Sequence, residues 1–445
     1  MTRYELDGST RRPADDVVIG GSPMRLFRLS AAGVPAFEQI AAGDDVGPSK
    51  LVDRLLDAGA IHPRPACSSQ PLSDVTVVVP ALGIDSATLR DIVACCPGVA
   101  TVIVVDDASD PPVTTIEGTK VLRLRTNAGP AVARNAGLGA VTTPLVAFVD
   151  TDVQLSTGWL EPLLGHLADE RVALVAPRVA SRPAPGPVAR YEQGHSPLDL
   201  GPAPGRIAPG TRLSYVPAAA LLVRADALRA IGGFDRGLRV GEDVDAVWRL
   251  VEAGWRCRYE PASVVHHAPR ASWSALVRQR VAYGSSAAPL ARRHRGALAP
   301  ARISGWSGGV WGLLAAGHPF DALALAGATT AALVPKLRGV PPIESVRLAG
   351  LGHLYAGRSL ADAARRAWWP LLLAGAVVSR RMRWIAALSA LPALLDGGVP
   401  RLVDDLAYGA GVWKGVVAER DPAPLVPEFT SWPGRSTSSG AGTVG

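Results

Sequence analysis

Three runs of branched apolar residues constrain this chain more than anything else in it. They are Val75-Thr76-Val77-Val78-Val79, Ala100-Thr101-Val102-Ile103-Val104-Val105 and Leu145-Val146-Ala147-Phe148-Val149. A run without polar alternation suits a strand covered on both faces, the condition of a parallel sheet rather than of a half-wet hairpin. Helix-length segments separate the runs. One spans Leu89 to Cys96, and another spans Ala131 to Gly139 after the turn Asn127-Ala128-Gly129-Pro130; Val121-Leu122-Arg123-Leu124 supplies a further short strand. This alternation predicts a doubly wound parallel α/β sheet. Sheets of that kind bind ligands at the carboxyl ends of their strands. Acids stand at those ends here: Asp106-Asp107 after the second run, and Asp150-Thr151-Asp152 after the last.

The spacing of Asp150 and Asp152 matters. Side chains alternate along a strand, so both carboxylates share a face if the chain stays extended through Thr151. Paired hard oxygen donors suit Mg2+ or Mn2+, which commonly completes its shell with water and substrate phosphate. The competing reading makes Asp152 the cap of a helix beginning near Thr157-Gly158-Trp159.

At 445 residues the chain is too long for one ordinary domain. Residues 1–66 read as a separate module. Val17-Val18-Ile19 and Met24 to Leu29 flank a turn at Gly20-Gly21-Ser22-Pro23, Ser30 caps a helix running to Ile40, and Leu51, Val52, Leu55 and Leu56 keep helical spacing up to a stop at Gly59. The arrangement is winged-helix-like and resembles the PqqD-type domains that hold leader peptides, which implies a leader peptide or pathway protein as its ligand. A decorative subdomain without a ligand fits equally. His62 to Pro71 reads as a linker.

Composition excludes some classes. Aromatics make up only 5% of residues and no basic stripe interleaves with them, so nucleic acid is not an expected partner. The net charge of +7 suits a nucleotide diphosphate or an anionic lipid surface. Cys67, Cys95, Cys96 and Cys257 form no Cys-x-x-Cys pair, which argues against zinc and for reduced thiols. The first sixteen residues are charged and lack an apolar core, so no secretory signal is expected and the protein is placed on the cytoplasmic side.

Residues 301–420 are rich in Ala, Leu, Trp and Arg and read as helices, with no stretch of ~20 clean apolar residues. Ala322 to Val334, Trp368 to Val378 and Trp384 to Leu395 are edged by Arg and Trp, the pattern of helices lying in a membrane interface. A helical subdomain closing over a substrate is the alternative. Residues 421–445, rich in Pro, Ser and Gly, read as a disordered tail.

Five motifs in order, "VVVPA", "VIVVDDASD", "NAGPAVARNAGL", "FVDTDV" and "GGFDRGLRVGEDVDAVWRL", resemble those of the family-two glycosyltransferases over residues 72–270. The resemblance implies a GT-A fold across 72–300 and an inverting transfer from a UDP-sugar donor, with glucose the expected sugar. It implies that Asp106 and Asp107 meet the nucleotide, that Asp150 and Asp152 hold the metal with His266 completing its shell, and that Asp235 lies near the donor. Arg134 either reaches a phosphate, braces Asp106 or is an ordinary surface residue. Asp243 is the implied general base with Glu242 raising its pKa, although two acids in a first helical turn also simply complement the helix dipole. Pro217 to Val223 resembles the small-residue strand lining the sugar pocket. The Gln-x-x-Arg-Trp signature of processive polymerases is absent. The whole arrangement of a peptide-recognition-like head, this core and a helical tail resembles glycosyltransferases that decorate a peptide-derived redox cofactor, and the resemblance implies such an acceptor. The alternatives are a cell-envelope enzyme using lipid-linked or polysaccharide acceptors, and a peptide-binding adaptor with a vestigial transferase fold.

Overall fold

A computed structural model describes residues 2–65 and 70–431. They divide by packing into two compact units. One holds most of the chain up to Ala271; the other runs from Ser272 and includes the short stretches Arg12–Val18 and Phe27–Ala31. Most of the amino-terminal module thus shares a unit with the α/β core, and the helical part begins at Ser272 rather than at the 300/301 boundary expected from composition. The reason is packing: the helix after Ser272 is buried against the last long helix of the chain.

The module comprises β1 (Thr2–Leu6), β2 (Arg11–Ala14), β3 (Val17–Gly20), β4 (Arg25–Arg28), α1 (Gly33–Ala42), β5 (Asp45–Val46), α2 (Lys50–Ala58) and β6 (Ile61–Arg64). Its sheets run β5-β1-β6 and β2-β3-β4. Helix α2 starts where the Ser49 side chain accepts the Val52 N–H and stops at Gly59 in the left-handed conformation. Ser30 is not the cap of α1, which begins after Ala32 without a side-chain cap. The start of the expected linker, His62 to Arg64, lies instead in the strand β6, paired antiparallel to β1.

The core continues with β7 (Val75–Ala81), α3 (Ser86–Ala94), β8 (Thr101–Asp106), β9 (Thr119–Arg123), α4 (Pro130–Ala140), β10 (Leu145–Val149), β11 (Val153–Gln154), α5 (Glu161–Leu164), β12 (Val172–Ser181), α6 (Pro187–His195), β13 (Gly205–Ile207), β14 (Ala220–Arg224), α7 (Ala225–Ala230), α8 (Glu242–Glu252) and β15 (Arg256–His267). The large sheet runs β11-β15-β12-β14-β10-β7-β8-β9 with β13 beside β15. Strands β10, β7, β8 and β9 are mutually parallel, which is half of a doubly wound sheet. The other half departs from the all-parallel expectation, because β14 pairs antiparallel with both β10 and β12. The result is the mixed α/β sheet of the GT-A class. Its central strands are wholly buried. Val75, Val77 and Val79 pack on Leu89 and Ile92 of α3, while Val78 faces Gly137 of α4 so closely that an added Cβ would lie 2.3 Å from it.

The second unit contains α9 (Trp273–Ser285), α10 (Ala287–Arg293), β16 (Arg302–Ser304), α11 (Gly305–Ala315), α12 (Pro319–Leu333), α13 (Pro342–Arg366), α14 (Trp369–Val378), α15 (Arg380–Glu419) and β17 (Glu428–Ser431). Helix α15 is two helices joined across a kink at Gly397 and Gly398, the latter at φ 66°. Its second half is core: Arg280 of α9 meets Asp404 at 2.7 Å and Arg365 of α13 meets Asp405 at 2.8 Å, all four buried. Gly284 and Gly411 let α9 and α15 approach until a Cβ on either would fall about 2 Å from the facing backbone oxygen. The start of the expected tail is ordered, since β17 pairs with β16; residues 432–445 lie outside the described residues.

Candidate active site

The acids of the FVDTDV and GEDVDA motifs meet at one short stretch of backbone, Ala218 and Ala219. Ala220 is opposite Val149 in the β10–β14 register. Just beyond that pair, the Asp150 N–H donates to the Ala219 carbonyl at 2.9 Å. On the other side of the same stretch, the Ala218 N–H donates to Asp243 Oδ2 at 3.1 Å. Gly241, left-handed at φ 84°, turns the chain into α8 so that Glu242 and Asp243 open that helix. Two acidic segments thus bond the backbone of this small-residue stretch.

Arg134, 3% exposed, joins these segments a second time. Its Nη1 donates to Glu242 Oε1 and its Nη2 to Asp150 Oδ1, each at 2.7 Å. Its guanidinium lies 5.5 Å from the Phe234 ring centroid. Burial opposes the Arg134 cation, but Asp150 and Glu242 outweigh it and raise its pKa. Glu242 is pushed up to about 7 by burial and then by repulsion from Asp243, against the pull of Arg134. The Asp150 carboxyl is also raised, by burial first and with contributions from Asp152 and Asp243, despite Arg134. Arg134 does not brace Asp106; that role falls to Arg123, which pairs with Asp106.

Asp152 does not cap a helix. The expected helix near Thr157 is absent, and α5 starts only at Glu161 after Leu160. Instead Asp152 Oδ2 lies 2.8 Å from Nε2 of His267. Burial disfavours the Asp152 anion, yet the hydrogen bond and charge of His267, with Arg270 nearby, leave its pKa lowered. The histidine facing the acids is therefore His267 rather than His266, because the side chains of β15 alternate and His267 stands opposite Val153 in the register with β11. Arg270, unforeseen in the sequence, comes within 3.4 Å of the same imidazole nitrogen, and its own N–H donates to Glu192 at 2.6 Å.

Asp106 and Asp107 differ from expectation too. Both sit at the carboxyl end of β8, on the sheet edge that carries Asp150, but both are buried. Asp106 accepts the N–H groups of Ser109 and Val113 and pairs with Arg123. Asp107 accepts those of Ala128 and Gly129 at 2.7 and 2.8 Å, fixing the turn into α4. A buried carboxylate is tolerated when N–H donors surround it, so these two shape loops rather than open into a crevice. Asp235 accepts the Gly237 N–H in its own turn. The neighbouring Asn135 was not singled out in the sequence, although it adjoins Arg134. Its amide both donates to and accepts from the Phe234 backbone, at 2.7 and 2.9 Å. It thereby holds the Gly232-Gly233 turn against α4.

Among the described residues no group of three or more His, Cys, Asp or Glu side chains is already closed around a metal position. The chemistry of the donors nonetheless fits a divalent cation. Asp152 is half exposed and spends only one oxygen on His267, and Asp150 lies close enough to be felt electrostatically. Two carboxylates are what Mg2+ or Mn2+ takes from protein when substrate phosphates and water supply the rest.

Residues 77–231 match the model of the glycosyl transferase family 2. The chain belongs to that family and is a glycosyltransferase. It is 41% identical over 449 residues to the pre-mycofactocin glycosyltransferase of Mycobacterium tuberculosis, covering 93% of this chain and 94% of that one. A shorter likeness, 26% over 206 residues, covers 40% of this chain and 32% of human polypeptide N-acetylgalactosaminyltransferase 3. Among solved structures, a mannosyltransferase from Pyrobaculum calidifontis in complex with GDP-Man and Mn2+ aligns over 80% of this chain and 90% of its own, at 17% identity and a TM-score of 0.46.

Proposed function

We propose that the protein transfers glucose from UDP-glucose, with inversion, to a peptide-derived redox cofactor of the mycofactocin type, building a short oligosaccharide. The observation carrying this reading is that Asp150 and Asp243 both bond the backbone of Ala218 and Ala219, with Asp152 and Asp243 near enough to act on the Asp150 carboxyl. Support for the acceptor comes from the 41% identity to a relative named for it, over 93% of this chain.

Asp150 and Asp152 would hold Mn2+ or Mg2+, with His267 rather than His266 at its edge. The cation would neutralise the charge developing on the diphosphate leaving group. The rest falls to the chain's own residues. An acceptor hydroxyl attacks the anomeric carbon as the bond to the UDP oxygen breaks, and Asp243 takes the hydroxyl proton from the face opposite the diphosphate. Arg134 holds Asp150 and the Glu242 end of α8 at fixed separation, so base and metal site keep their geometry. Ala218 to Ala220 admit the sugar close to backbone.

The test is mass spectrometry of a peptide-derived acceptor after incubation with UDP-glucose and Mn2+. Successive hexose increments are expected. Asp243→Asn should slow turnover on the order of 10³-fold, and Asp152→Ala should make UDP release insensitive to added Mn2+. Equal metal response in Asp152→Ala and wild type would overturn the metal assignment. A lipid-linked acceptor is the second reading, favoured by the apolar side chains exposed on the second unit; labelling of lipid without peptide would select it.

A further inference from the structure

The two halves of α15 are treated oppositely by the fold. Beyond the kink at Gly397-Gly398 the helix is locked inside its unit by Asp404, Asp405 and the glycines facing α9. Before the kink, Trp384, Leu388, Leu391 and Leu395 recur at intervals of four, three and four, one face of a helix, and all four are exposed. Leu395 is 79% exposed, and Val377 and Val378 at the end of the preceding α14 are 80% and 85% exposed. An isolated exposed leucine means nothing, but a run of this length does.

Between the two apolar stretches the chain reads Ser379-Arg380-Arg381-Met382-Arg383, with all three arginines exposed. This is the chemistry of an acidic lipid surface. Apolar side chains enter the upper acyl region while arginines meet headgroup phosphates. Neither piece is built for a crossing. The 10 residues of α14 make about 15 Å of helix, half of the ~30 Å hydrocarbon core. Helix α15 is long and apolar enough by composition, with 6% of its most apolar window buried, but that stretch is cut by Asp396 and the Gly397-Gly398 kink. Other occupants fit less well. Residues 432–445 carry only Trp432 and Val444 as large apolar side chains, too few to cover this face. A second copy packed in parallel on this face would bring a second cluster of arginines against the first.

We propose that α14 and the first half of α15 dock this protein, in the plane of the interface, on a bilayer containing anionic phospholipid. The readout is binding, so it is decided separately from sugar transfer. Full-length protein is floated with phosphatidylcholine vesicles and with vesicles that also contain phosphatidylglycerol. Wild type should float with the anionic vesicles, less so at high salt. Leu388→Asp/Leu391→Asp should reduce bound protein roughly tenfold or more, as expected when two anchoring leucines leave the interface, with an unchanged melting temperature because both side chains are already exposed. Arg380→Glu/Arg381→Glu/Arg383→Glu should erase the preference for phosphatidylglycerol. Wild type that stays unbound, or a leucine variant that floats as well as wild type, overturns the proposal. So does a wild-type dimer in sedimentation equilibrium that the leucine variant dissolves, which would assign the face to a second copy.

Discussion

Arg134 carries two ion pairs with one side chain, one to buried Glu242 and one to half-buried Asp150, so its replacement separates charge from packing. In Arg134→Met the carboxylates of Asp150 and Glu242 lose their shared counterion. Breaking a buried pair from one side costs about 3–5 kcal/mol. Part of that is recoverable at low pH, because Glu242 binds a proton at about 7 even with Arg134 present. Urea denaturation of Arg134→Met should therefore show a deficit that grows between pH 6 and 8; a deficit independent of pH would mean the arginine serves packing alone. Glu242 has its own signature. Its folded pKa lies above the ordinary glutamate value, so the folded state binds a proton the unfolded chain has released, and stability falls as pH rises from about 4.5 to about 7. Glu242→Gln should flatten the melting temperature across that window. None of these partnerships was legible in the sequence. Arg134 reaches Glu242 across 108 positions of chain, and single-chain spacing says nothing about contacts at that range. The choice between His266 and His267 failed for a related reason. The β12–β15 pairing slips between Pro177 and Arg178, opposite Glu260 to Val264. One such slip inverts which side chains face the site.

At the scale of elements, what could be read were segments whose two ends carry chemical signals. Helix α2 buries Val52, Leu55 and Leu56 and stops at Gly59 as expected, and β7, β8 and β10 are buried strands as their unbroken apolar runs require. The direction of β14 was not readable, since Ala220-Leu221-Leu222-Val223 suits a parallel or an antiparallel neighbour equally. The turn before α8 shows how an element can depend on one glycine. Gly233 sits at φ 72°, and a Cβ there would come within 2.4 Å of the Asn135 amide oxygen. Gly233→Ala should cost about 1–3 kcal/mol through backbone strain and loss of the Asn135 clamp. The loss is expected in thermal melts, together with a raised KM for donor because the same loop leads directly into α8 at Glu242. Asn135→Ala, which removes the clamp and keeps the turn relaxed, should show the kinetic effect with a smaller loss of stability. Identical losses in both variants would place the whole effect in the amide.

At the scale of the molecule, the part of the amino-terminal module that carries α2 and Ser22 is built into the catalytic unit rather than appended to it. Arg256 of β15 pairs with Asp57 at 2.7 Å and Asp53 at 3.2 Å on α2, and with Asp169 of the core at 2.8 Å. The Arg212 N–H donates to Ser22 at 2.6 Å. Beside them Arg258 is wholly buried, with Nε and Nη1 finding no acceptor among the described residues, and burial followed by the charge of Arg256 brings its pKa down to about 10. Ion pairs at Asp53 and Asp57 are partly exposed, so Asp53→Asn/Asp57→Asn should cost no more than about 1 kcal/mol per pair. Removing the module is a different matter, because it uncovers Arg256 and Arg258 together and strips Arg256 of two of its three partners. A chain beginning at Gln70 should melt lower by at least about 5 °C in its remaining core, with activity lost in proportion to folded fraction. A freely hinged peptide-binding arm predicts the contrary result: an unchanged melting temperature, full turnover on a small hydroxyl acceptor, and a defect confined to the peptide-derived one.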